Sequence, residues 1–182
     1  MDRAGQGATG VRLGVTGHRT FVEEAAVAAL VDAVLDDLGD AGVVVTSLAE
    51  GADRLVAERA ATRPGWHLAA VLPLDPADYE ADFADEASVV AFRRLLASAD
   101  SVHQVAPART REEAYLAAGL GVLDRSDALL ALWDGEPARG RGGTAEVVAE
   151  ARARALPLTW VRVGRRVPIE PTRTEERWPW KP

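Results

Sequence analysis

The feature that most narrows the folds open to this chain is the alternation of short apolar runs with segments of helical period. The run "VRLGVTG" (11–17) has strand length, and "FVEEAAVAALVDAVLDDLGDAG" behind it places Val27, Leu30, Val31, Val34 and Leu38 on one helical face before a glycine-rich stop. "GVVVTSLAEGADRLVAERAA" repeats the plan with β-branched residues, a turn at Glu50-Gly51, and a helix carrying Leu55, Val56 and Ala60. "PGWHLAAVLPLD" gives a third strand after a Pro-Gly turn. Helical "EASVVAFRRLLASAD", short "SVHQVA", helical "TREEAYLAAGLGVLDRSD" and apolar "ALLALWDG" follow, before the stretch 135–161, which opens with glycines and arginines and turns into a last helix and strand.

Regular alternation of apolar strands and helices implies a parallel sheet covered on both faces, because right-handed crossovers place helices on each side. The expected class is α/β, a Rossmann-like three-layer sandwich with a mainly parallel sheet of about six strands and five intervening helices. With 182 residues, 48% of them hydrophobic, the chain suits one domain over 11–163, preceded by a flexible N-terminus (1–10). The segment 164–182 has no regular period and is expected to run extended over the body, with Trp178 and Trp180 supplying apolar area for docking.

The absence of cysteine excludes disulfides, thiolate metal sites and a cysteine nucleophile, and fits a cytoplasmic setting. No apolar run approaches the roughly 18 residues of a membrane span, so a soluble chain is expected. A net charge of −7 argues against general nucleic-acid binding, which calls for a basic surface. Small anions need only local donors, and these are arginines, since Lys181 is the one lysine.

In an open parallel sheet ligands sit beyond the carboxyl ends of the strands, and three loops there carry candidate residues. In "TGHRT" (16–20), Gly17 permits close approach, His18 and Arg19 offer polar contacts, and Thr20 with Glu23 matches a capping box. In "SLAEGADRL" (47–55), Gly51 suits a tight turn, while Glu50 and Asp53 can meet a ribose hydroxyl or serve as cap and surface charge. In "DGEPARGRGGTAEVV" (134–148), Asp134 and Gly135 close a strand, Gly142 and Gly143 let backbone approach an anion, and Thr144 can cap the helix. This last loop matches neither the dinucleotide G-x-G-x-x-G nor the lysine-bearing P-loop. Glu146 is either a dipole-stabilised acid of the first helical turn or a catalytic carboxylate, and Glu150 with Arg154 makes an exposed i,i+4 pair. His18, His67 and His103 lack metal-ligand spacing, so neither a metal nor a cofactor is expected.

Taken in order, "GVTGHR", "LAEGADRLVAE", "VLPLDPADYEADF" and "SDALLALWDGEPARGRGGTAEVV" resemble the SLOG superfamily, the Rossmann-like group related to Smf-type DNA-processing proteins and LOG phosphoribohydrolases. The resemblance spans 11–163 and implies a nucleotide pocket built by these loops, usually in a homodimer. LOG enzymes cleave the N-glycosidic bond of nucleoside 5′-monophosphates, nucleoside deoxyribosyltransferases act at the same bond, and members in bacterial conflict systems are thought to sense nucleotides without turnover. The LOG pattern P-G-G-x-G-T-x-x-E departs here: Val147 holds the place of its glutamate, and Glu146 lies about 100° away around the helix. The LOG Arg-Lys pair before the "SDA" aspartate is replaced by alanine and glycine, and Arg125 lies too close to Asp127 to stand for it.

Three functions follow. The favoured one is a sensor-type domain for a nucleotide or NAD-derived anion, coupled to a separate effector protein. An N-glycosidic hydrolase or transferase using Asp134 or Glu146 is the second, since carboxylates stabilise an oxocarbenium ion. A ligand-free interaction module is the third.

Overall fold

The computed structural model describes residues 10–137, 142–165, 167 and 169–177. Among these, seven strands form one sheet: β1 (Val11–Gly17), β2 (Gly42–Thr46), β3 (Trp66–Leu72), β4 (Ser101–Gln104), β5 (Ala128–Trp133), β6 (Leu158–Arg162) and β7 (Thr172–Glu176). The spatial order is β4-β3-β2-β1-β5-β6-β7, with β1 to β6 parallel and β7 antiparallel to β6. The α/β class and mainly parallel sheet are as the sequence predicts. The chain builds outward from β1 to β4, then crosses back to lay β5 on the other side of β1. That reversal opens a crevice at the carboxyl ends of β1 and β5.

Helices α1 (Glu24–Leu38), α2 (Ala52–Ala61), α3 (Pro76–Glu80), α4 (Glu86–Ser98), α5 (Arg111–Leu123) and α6 (Thr144–Ala153) connect the strands. Strand side chains alternate between two faces. Ala128, Leu130 and Leu132 of β5 join the core beneath α1, α2 and α4, whereas Leu129, Ala131 and Trp133 pack under α6. Val43, Val45, Ala69 and Val71 likewise face Ala118 and Val122 of α5. Burial on both faces is why these strands read as unbroken apolar runs.

Three details differ from expectation. The segment after 163 contributes a seventh strand, β7, and the Asp-Pro turn after β3 starts the short helix α3, whose N-cap Asp75 accepts from Ala77 N–H. Trp178 and Trp180 lie outside the described residues. The capping box does not form: α1 begins at Glu24, and its N-cap is Glu23 at φ 61° with no side-chain cap. Residues 18–23 are held by neighbouring strand ends, with His18 N–H donating to Leu132 O (3.0 Å) and Val22 N–H to Gly164 O (2.9 Å). Those tertiary bonds keep the loop non-helical past Thr20.

Candidate ligand cavity

A cavity of about 340 Å³ lies at the reversal point. Its wall includes Gly17, His18 and Arg19 after β1, Ser47 and Asp53 after β2, Tyr79 of α3, Tyr115 of α5, and Gly142, Gly143 and Thr144 at the start of α6. Seven of the residues singled out from the sequence thus share one wall. Glu50, Gly51, Asp134, Gly135 and Glu146 do not line it.

The glycines bring the loops together. A Cβ on Gly17 would meet the Ala52 Cβ at 2.4 Å and the Leu132 carbonyl oxygen at 2.6 Å. Gly51 has φ +77°, and a Cβ there would sit 2.4 Å from the carbonyl oxygens of His18 and Arg19. Ala52 N–H then donates to His18 O at 3.0 Å, locking the loop after β1 onto the start of α2. Gly142, at φ +78°, lies against the first turns of α5, 2.9 Å from Glu112 O by the same construction, and Gly135 packs on the Trp160 ring.

Each acid has a distinct place. Asp53 is only 5% exposed and accepts from Ser47 N–H (3.0 Å). Burial pushes its carboxyl up to about 6, against the opposing pull of hydrogen bonds from Thr46, Ala49 and Ser47 and the more distant charge of Arg19. It is therefore a buried acid on the cavity wall, neither a helix cap nor a surface charge. Glu50 accepts from Ala84 N–H (2.9 Å) and from the Ser88 hydroxyl, tying the α4 entry to α2. Arg54 completes that tie, with Nε donating to Leu48 O (3.0 Å), one terminal nitrogen donating to Ser88 O (2.8 Å), and its guanidinium over the Phe83 ring.

Asp134 lies behind the wall. Its Oδ1 accepts from Glu136 N–H (3.0 Å) and its Oδ2 is 3.0 Å from Arg165 Nε. His18 Nε2 meets the same residue in one of two ways: bare, it accepts from Asp134 N–H at 3.0 Å; protonated, it donates to Oδ1 at 2.9 Å. Burial raises the Asp134 carboxyl, but the Glu136 N–H, His18 and Arg165 outweigh it and hold the group below its ordinary value. Glu146 turns back to accept from Gly142 N–H, and Gly143 rather than Thr144 is the N-cap of α6. Val147, in the place of the LOG glutamate, does reach the wall, with an apolar side chain 3% exposed. Gly140 and Arg141 fall outside the described residues.

Arg19 is the cation available to a ligand. Its guanidinium lies 5.5 Å from the Tyr115 ring centroid and 3.4 Å from Asp82 O, with no carboxylate in an ion pair with it among the described residues. Tyr115 donates to Asp82, which also accepts from Arg111 (2.7 Å), so Asp82 fixes the ring under Arg19. Tyr79, 1% exposed, packs edge-on against Phe83 and Phe92, its phenol pushed further up by burial. Tyr79, Asp82, Tyr115 and Arg165 are missed by motif reading; the only local signal was the "LDPADYEADF" run. Among the described residues no cluster suited to a metal ion occurs.

No family model matches the chain, and no curated protein sequence matches it. Among solved structures, DNA processing protein A (DprA) of Streptococcus pneumoniae superposes with a TM-score of 0.58 at 14% identity, over 84% of this chain and 50% of that one. DprA of Helicobacter pylori, solved to explain its single-stranded DNA binding mode, gives 0.54 at 16% identity over 84% and 65%. The fold is shared with DprA. This chain spans half to about two thirds of the DprA chains it matches, and the likeness at such identity is one of fold. It corrects one expectation: net charge does not exclude a nucleic-acid partner, because a protein of this fold binds single-stranded DNA. Physically, net charge averages the whole surface, whereas a strand needs only local cations and stacking faces. No helix among the described residues is long and apolar enough to cross a membrane.

Proposed function

We propose that the cavity binds one nucleotide unit, either as a free nucleotide or nucleotide-derived anion or as one unit of a single strand. The observation that carries this reading is the Arg19 guanidinium, in no ion pair with a carboxylate among the described residues, set over the Tyr115 ring on the wall of the cavity at the sheet reversal. Arg19 supplies forked donors for a phosphate, and the tyrosine wall supplies apolar contact for a base. A volume of about 340 Å³ is at the small end of ligand pockets and favours one unit over an extended dinucleotide. The resemblance to nucleotide-binding SLOG domains and the DprA fold agree with it.

Binding without turnover is the better supported form. Glycosidic cleavage by the carboxylates first considered would need one of them at the sugar, and Asp134 and Glu146 are both engaged off the cavity wall. The test is calorimetric titration with nucleoside monophosphates and with short oligodeoxythymidylates, which separates the two ligand sources. Arg19→Gln is expected to weaken binding about tenfold or more, in line with loss of a charge-assisted contact of ~1.5–3 kcal/mol, with no change in Tm. Absence of binding by both probes, or equal affinity in Arg19→Gln, rejects the reading.

A further inference from the structure

The wall contains one group that nucleotide binding as proposed above leaves unused. Asp53 reaches the cavity from the first turn of α2, with 5% of its surface exposed. Among the described residues, the titratable and charged groups around it are Arg19 and His18 from the loop after β1, Arg54 of α2, Tyr79 of α3 and Tyr115 of α5, with Glu136 after β5 and Arg165 after β6 also on the cavity wall. Arg54 is committed to Leu48 and Ser88, and His18 and Arg165 to Asp134, so among the described residues Arg19 is the cation on this wall that a ligand can take over. We propose that occupation of the cavity by an anionic ligand is coupled to uptake of one proton by Asp53: the ligand anion neutralises Arg19, and the buried carboxylate on the same wall becomes neutral.

The physical reason is local charge balance in a poorly solvated place. Burial pushes the Asp53 carboxyl up, and hydrogen bonds from Thr46, Ala49 and Ser47, with a smaller contribution from the Arg19 charge, hold it ionised against that cost. An anion on Arg19 cancels that help and adds repulsion of its own. Asp53 in the free protein titrates at about 6, so the added push carries its titration toward neutral pH. The sign follows from linkage. The bound state holds more protons than the free state between the free value and the higher bound value, so affinity falls as pH rises through that window. The fall is up to about tenfold per pH unit, with plateaus on either side. Because the inference rests on nucleotide binding at this cavity, its ligand is of the same class, and the device makes that site read pH as well as ligand.

The probe for the test is the methyl phosphodiester of thymidine 5′-monophosphate, a single nucleotide unit that keeps one fixed negative charge across the range. Its affinity is measured by calorimetry from about pH 5.5 to about pH 8, in two buffers of different ionisation heat. Expected are a loss of affinity of up to about tenfold per unit above about pH 6 and uptake of up to one proton per ligand bound near pH 7. In Asp53→Asn the slope should disappear, and binding at about pH 8 should become tighter than in the unaltered protein. A slope that survives in Asp53→Asn, as titration of His18 would leave it, overturns the proposal. Should that variant fail to fold, carbon NMR of the Asp53 carboxyl in the unaltered protein decides: its titration must move upward when the methyl phosphodiester is added, and an unmoved titration overturns the proposal. Binding that is independent of pH overturns the proton coupling alone, whereas no binding at any pH overturns it together with the nucleotide reading.

Discussion

Gly51 shows how a single residue joins the strand plan to the cavity. Its φ of +77° is a backbone state that side chains rarely adopt, and the carbonyls of His18 and Arg19 fill the space a Cβ would need. Gly51→Ala therefore combines backbone strain with overpacking, and it is expected to cost about 2–4 kcal/mol in chemical denaturation. Because the displaced atoms belong to Arg19, nucleotide binding should weaken even in conditions where the variant stays folded; unaltered stability would mean that the two loops do not meet there. The residues legible in the sequence are the ones whose signal is local, such as the glycines in strand-to-helix turns and Arg19 beside them. Tyr115 and Asp82 were not legible, because their pairing joins positions 33 residues apart and neither carries a motif of its own. Asp53 was legible as an acid of a first helical turn, but nothing local in the sequence marks its burial, which is tertiary.

At the scale of elements, α1 and α2 are clamped by charge as well as by packing. Asp32 of α1 takes hydrogen bonds from Arg59 Nε (2.9 Å) and an Arg63 terminal nitrogen (3.0 Å), and Arg63 also reaches Asp36 (2.8 Å). The hydrogen bond from Arg59, with help from Arg63 and against some burial, holds the Asp32 carboxyl below its ordinary value. An acid with a depressed folded-state value stabilises fully above its unfolded value of about 3.9 and loses that contribution as pH falls through the folded value. Asp32→Ala should accordingly lower the Tm at about pH 7 by about 2–4 °C, and the gap to the unaltered protein should narrow below about pH 3.5. A gap that stays constant with pH would assign the effect to packing rather than to charge. The elements most readable in advance were the strands buried on both faces, where tertiary burial and sequence pattern agree. α3 was too short, at 5 residues, to express a helical period. The capping box before α1 had the right letters, yet bonds from residues 18 and 22 to neighbouring strand ends outweighed it.

For the whole molecule, the sheet ends in a strand that the sequence pattern does not mark. The β7 sequence, "TRTEE", has no apolar alternation because it lies at the sheet edge with its side chains largely in water, so pattern reading had nothing to detect. Its contribution is backbone pairing: five residues in antiparallel register along β6, from Leu158 opposite Glu176 to Arg162 opposite Thr172. Side chains pin it at both ends of that register, with Arg152 of α6 forked onto Glu176 (2.9 and 2.7 Å) and Arg173 reaching Asp37 of α1 (2.6 Å). Without β7, the strand "LTWVR" becomes an open, largely apolar edge, the arrangement that recruits other chains. Deletion of 171–182 is therefore expected to lower the Tm by about 5–10 °C, corresponding to roughly 2–3 kcal/mol of lost pairing, and to produce aggregates visible by light scattering. The cavity lies between β1, β5 and β2, two strands away from this edge, so the fraction that stays out of aggregates should bind nucleotide with unchanged affinity. A truncated chain that does not aggregate and keeps an unaltered Tm would mean that β6 protects its own edge; lost affinity in a stable truncated chain would mean that the segment reaches the cavity, through the connection that carries Arg165.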